Sequence, residues 1–329
     1  MQDKLTPRQV RAWSLCALSV PAAMALPGCG WLWVLGGSIL ACALAACQQA
    51  MQRHSGLCMR QAFARVFGAV GGRIMAAAEL LWLLFAASGA AAASQIAFED
   101  DLGPFLPAIP LLLAALAGQK GRLAAGRVCA VLALCLAGLY AVIAAASLRH
   151  VQVDWSRPQG VPADAALAFC LCLGPVCMAF VTAEEETPRI SPGTAAASAL
   201  LPAAPAFLTA ACLSPELARQ EPLPFLTLTK SLSVLSVMQR FELLLSVAQL
   251  LGLFTLLVML VCAAESMTDM MKRKKDEERA SGAFFLLAFG GSFFAYRLPI
   301  WPWAVGAAIF WGIVPVLTQV IVNIKKSEK

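Results

Sequence analysis

Apolar residues along this chain gather into ten runs separated by short polar stretches, at about 10–27, 31–47, 74–94, 105–118, 128–148, 164–183, 194–213, 241–264, 283–296 and 301–324. A helix needs ~20 mostly apolar residues to cross a bilayer. Most of the runs approach that length, and they predict an all-α integral membrane protein of about ten transmembrane helices. Runs 105–118 and 283–296 are short for a straight crossing, so they must extend into their flanks or lie sheltered among neighbours.

An even number of crossings puts both termini on one side. If that side is the cytoplasm, nineteen of the 25 basic residues fall inside, among them Lys4, Arg8, Arg11, Arg60, Arg122 and Lys272. Six lie outside: Arg149, Arg157, Arg219, Lys230, Arg240 and Arg297. The acidic turn Glu99, Asp100, Asp101 also falls outside, so both ends inside satisfies the positive-inside rule. The segment before the first run lacks a small-residue cleavage pattern, and we read the first run as a retained helix. Two connections look structured. In 48–72, Phe63, Val66 and Phe67 alternate with Arg60 and Arg65, as in a basic amphipathic helix on the membrane surface. In 214–239, prolines precede Leu228, Leu232, Leu235 and Met238 at helical spacing, which suits either a re-entrant lid helix or an ordinary surface helix.

Composition agrees with this reading. Hydrophobic residues make up 60% of the chain and charged residues 13%, too few charges to cover a soluble surface. The net charge of +6 sits in clusters beside apolar runs, which topology explains and nucleic-acid binding does not. Most of the twelve cysteines lie inside apolar runs and read as packing residues, with no disulfide framework. His54 and His150 stand alone in connecting segments, so no metal site, cofactor site or catalytic constellation is expected. Glu184, Glu185 and Glu186 read as a solvated helix end.

Helix breakers inside a membrane are tolerated where the freed backbone groups are buried in protein or line a cavity. Pro21 comes about eleven residues into the first run, and Gly174-Pro175 about ten into the sixth. Runs one to five (10–148) and six to ten (164–324) then form a single membrane domain of two oppositely oriented halves with paired broken helices, a transporter signature. A half-helix starting after each break would offer amide groups and a positive dipole end to the carboxylate of an amino acid. A proline that merely kinks its helix is the plainer reading.

Among ionisable groups at depth, Glu79 has two readings: it faces a cavity, or it pairs with Arg73 near the interface. Ser246 and Gln249, below Arg240 and Glu242 in the eighth run, either line a cavity or hold neighbouring helices by hydrogen bonds. The candidate ligand-binding set is Pro21, Ala22, Ala23, Met24, Glu79, Trp82, Leu173, Gly174, Pro175, Cys177, Ser246 and Gln249.

Pro224-Phe225-Leu226 through Lys230, followed by Gln239-Arg240-Phe241-Glu242 running into the eighth apolar run, resembles the spore-germination permease family, the B subunits of nutrient germinant receptors. Leu5-Thr6-Pro7-Arg8-Gln9 is similar to that family's start, and the basic turn 121–127 to its turn before the fifth span. The resemblance implies the LeuT-like 5+5 inverted-repeat fold of the amino acid-polyamine-organocation transporters, with helices 1 and 6 broken. It implies residence in the inner membrane of a spore, a small-molecule nutrient as ligand, and assembly with A-type and C-type receptor subunits. Three roles follow: a subunit that senses a nutrient, most simply an amino acid; a proton- or sodium-coupled amino-acid transporter with Glu79 as proton carrier; or a structural subunit whose pocket has decayed.

Overall fold

The first helix begins where its capping residues dictate. Thr6 accepts the Gln9 amide, the Gln9 side chain accepts the Thr6 amide, and Pro7 occupies the first helical position. This capping box starts α1 (Pro7–Met24) three residues before the apolar run does. The computed structural model describes residues 5–97, 106–152, 160–177, 181, 190–232, 241–271, 281–295 and 297–327. The acidic turn 99–101, Glu184 to Glu186, Arg240 and the basic cluster 272–275 lie outside the described residues.

All ten apolar runs are helical over most of their described residues, and no strand occurs among the described residues. The helices are α2 (Trp31–Ser55), α3 (Met59–Ala97), α4 (Ala108–Gln119), α5 (Arg122–Ser147), α6 (Pro162–Cys177), α7 (Pro192–Leu213), α8 (Pro215–Gln220), α9 (Pro224–Ser231), α10 (Phe241–Met271), α11 (Ser281–Ala295), α12 (Trp301–Ala307) and α13 (Val314–Ser327). Six helical stretches are long and apolar enough to cross a membrane, and α4, α6 and α11 are shorter apolar helices. The chain is an integral membrane protein. Its apolar residues on the outer faces agree, with Leu134 76% and Phe294 79% exposed, positions suited to lipid.

Helix α1 sits at the centre, packed on α5, α6, α7 and α10. Trp13 is fully buried there and its indole donates to the Thr255 carbonyl at 3.0 Å. Along α2, Gly37 lies against the backbone of α6, 2.9 Å from where a Cβ would meet the Phe169 amide nitrogen. The turn between α1 and α2 is tied to the start of α6, because Asp164 accepts the Gly30 amide at 2.8 Å.

The expected surface helix in 48–72 is shorter than the run that suggested it. Helix α2 continues to Ser55 and stops at Gly56 in the left-handed conformation; the stretch 59–67 then meets the span at Gly68, whose φ of 71° makes the bend. Phe63 is buried and Phe67 exposed. The connection between α7 and α10 contains two short helices, α8 and α9, with Phe225, Leu228 and Leu232 buried against the body of the protein. Leu235 and Met238 lie outside the described residues, and the helix ends at Ser231.

The last long helix changes its winding midway. Between α12 and α13, Ala308–Ile313 form a π-helical turn. Gln48 reaches across from α2 and donates to the carbonyls of Trp311 (2.9 Å) and Gly312 (3.2 Å), so a buried amide serves carbonyls at the widened turn. Replacing Gln48 by Leu removes both donations from a dry site. The expected result is a loss of about 1–2 kcal/mol, read as a lower thermal midpoint of the purified protein in detergent.

Candidate functional site

A cavity of about 250 Å³ opens between α1, α3, α6, α10 and the turn from α11 into α12. Both proline positions face it. Helix α1 contributes Val20, Pro21 and Met24, and α6 contributes Leu171 and Pro175. The two helices are also bonded to each other: Ser14 donates its hydroxyl to the Pro175 carbonyl at 2.6 Å.

The interruption differs in detail from the sequence expectation. Helix α1 runs through Pro21 and stops one turn later at Met24, and the chain then turns directly into α2. No second half-helix follows in α1, so the end of α1 at the cavity is a carbonyl end and not an amide end. The proposed amide cradle for a carboxylate is absent there. In α6 the described helix passes Pro175 and reaches Cys177.

Three tryptophans make the aromatic wall: Trp82 from α3, and Trp303 and Trp311 from the last helix. Trp82 and Trp311 meet edge to face, with ring centroids 5.4 Å apart at 72°. Phe310 stacks on Trp82 at 5.7 Å, and Phe85 stacks on Trp303 at 3.7 Å. Each indole lies over a glycine: Trp82 on Gly306, Trp303 on Gly89 and Trp311 on Gly174. Local sequence thus seats the rings, since a methyl group on any of these glycines would occupy ring volume.

Of the twelve sequence candidates, Pro21, Met24, Trp82 and Pro175 line the cavity. Gly174 stands behind it as the seat of Trp311. Ala22, Ala23, Leu173 and Cys177 are buried in the packing around it and do not reach its surface. Ser246 and Gln249 are not in its wall, because α10 approaches the cavity about two to four turns further along, through Leu256 and Leu260. The Gln249 side-chain atoms are buried with no hydrogen-bond partner among the described residues. Glu79 is 1% exposed and neither carboxyl oxygen has a hydrogen-bond partner. Arg73 is exposed, and no ion pair joins it to Glu79 among the described residues. Glu79 is also not in the cavity wall; it lies one helical turn from Trp82 along α3.

The residues missed from sequence are Trp303 and Trp311. Their spacing of eight puts them on one face of the last helix, which was the available signal. No group of three or more potential metal ligands assembles among the described residues, and the described cysteines are unpaired. A second hollow, between α3, α10 and α11, is bordered by Leu81 and Leu287, both well exposed on the outer face.

A cavity walled by proline-bearing helices inside a helical bundle is an arrangement that transporter-fold membrane proteins use. The chain is similar over 96% of its length, and over 77% of the other chain, to Mhp1, a nucleobase-cation-symport-1 family transporter solved in a closed conformation with bromovinylhydantoin bound; the TM-score is 0.65 and the identity 13%. At that identity the likeness shows the fold. Residues 166–296 match the family of spore germination proteins, Spore_permease. No curated protein sequence matches the chain.

Proposed function

We propose that the protein is the nutrient-sensing subunit of a spore germinant receptor, binding a small nitrogenous nutrient, an amino acid or an amine, in the cavity between α1, α3 and α6. The observation that carries this reading is the cavity at the proline-bearing ends of α1 and α6, in a chain whose residues 166–296 match spore germination proteins. The two halves 10–148 and 164–324 act as inverted repeats around that cavity, with both termini in the cytoplasm and the protein in the spore inner membrane. Ligand binding favours one arrangement of the helices, and A-type and C-type partner subunits respond to the shift, since a ligand moves an equilibrium only by preferring one state.

The test is deletion of the gene followed by germination of the spores on single nutrients. The expected result is loss of response to one nutrient class with the others preserved; unchanged germination on every nutrient would overturn the reading. A second reading, a proton-coupled transporter, draws support from the buried and unpartnered Glu79. It predicts solute uptake into proteoliposomes that Glu79→Gln abolishes.

A further inference from the structure

We propose that the cavity selects a cationic amine with an apolar body and no carboxylate. This rests on the reading of the cavity as the nutrient site and narrows it.

The backbone groups that the proline-bearing helices leave open at the cavity are carbonyls. Helix α1 ends in its wall at Met24 and Ala25, and the amides of Ala25 and Leu26 both return to the Pro21 carbonyl, at 3.1 and 3.0 Å. The turn that follows therefore gives no backbone donor to the carbonyl of Met24, a wall residue at the negative end of the helix dipole. In α6, Pro175 has no N–H to give to the Leu171 carbonyl four residues before it, and Leu171 is in the wall. Three indoles add ring faces that attract cations.

The Trp82 indole N–H, buried without a hydrogen-bond partner among the described residues, is a neutral donor in the same wall, but no cation stands beside it. No Lys, Arg or His is in the described wall. The last helix begins beside the cavity, yet its first turn has little to offer an anion, because Pro302 lacks an amide and the Trp303 and Ala304 amides both donate to the Ile300 carbonyl. An ammonium entering this space meets carbonyls and ring faces. A carboxylate entering it loses its water and gains no counter-charge, which is a large penalty. An amino-acid zwitterion therefore has one end that suits the site and one that does not.

The full-length protein in lipid nanodiscs is titrated calorimetrically with three probes that share one body and differ in charge: phenethylamine, L-phenylalanine and 3-phenylpropionate. Phenethylamine is expected to bind about tenfold or more tightly than L-phenylalanine, with 3-phenylpropionate weakest. Trp303→Leu is expected to weaken phenethylamine about fivefold, within the range of a desolvated cation–π contact, with the thermal midpoint showing that the variant is folded. If L-phenylalanine binds as tightly as phenethylamine, or phenethylamine gives no binding, the inference is overturned. The two failures are separable. A germination defect on deletion together with no amine binding overturns the ligand class and leaves the sensing role. Amine binding together with unchanged germination supports the ligand class and overturns the sensing role.

Discussion

Gly37→Ala is expected to cost about 3 kcal/mol and to leave little folded protein. A Cβ at Gly37 would overlap the Ala165 carbonyl oxygen and come within 2.9 Å of the Phe169 amide nitrogen. Both obstacles are backbone atoms of α6, so no side chain can rotate away; α2 and α6 must separate along one of the most extensive helix contacts in the protein. Overpacking of this kind costs about 1–3 kcal/mol in ordinary cores, and a rigid backbone neighbour puts this case at the upper end. Helix association in membranes depends on such close approaches of small residues. The neighbouring position is the control. Gly36 has nothing within 4 Å of its would-be Cβ, and Gly36→Ala is expected to be neutral or slightly stabilising, by roughly 0.5–1 kcal/mol, since alanine favours a helix interior. Thermal midpoints and folded yields of the two variants in one detergent settle the comparison; equal behaviour would refute the close approach.

Gly174→Ala acts on the cavity itself. Its Cβ would fall on the Trp311 ring, with the Cδ2 atom 2.7 Å away. Trp311 is held from another side by Trp82, at 5.4 Å between centroids, and its carbonyl accepts from Gln48, so the ring has little freedom except toward the cavity. The expected result is a stability loss of about 1–3 kcal/mol together with at least about tenfold weaker binding of phenethylamine, equivalent to ~1.4 kcal/mol. Shrinking the ring should relieve the clash. The double variant Gly174→Ala with Trp311→Phe is expected to be more stable than the two single losses added together, because residues in contact couple. Additive losses would show that the glycine does not seat the ring.

Much of the architecture was legible from the chain alone. Each of the ten apolar runs became helix over most of its described residues, because a bilayer admits almost no other way of satisfying a backbone. Helix starts were legible where chemistry marks them, as at Thr6 and Gln9 for α1 and at Ser191, which accepts the Thr194 amide ahead of Pro192 in α7. The prolines pointed to the cavity for a similar local reason, since the loss of an amide is a property of the residue itself. The expected half-helix after Pro21 did not form because the turn at 25–30 leads straight into α2, a chain-length matter that the proline does not reveal.

What the sequence by itself determined, then, is the membrane class, the helical runs and the two proline positions that face the cavity. Only the tertiary structure decided which faces look inward. Helices such as α10 are apolar on every side, so nothing in their periodicity separates Leu256 and Leu260 in the cavity wall from a lipid-facing leucine such as Leu243. The same holds for Trp303 and Trp311. An indole is equally at home in lipid and in protein until glycines on other helices, Gly89 and Gly174, leave room for it, and that match between distant helices is made only when they pack.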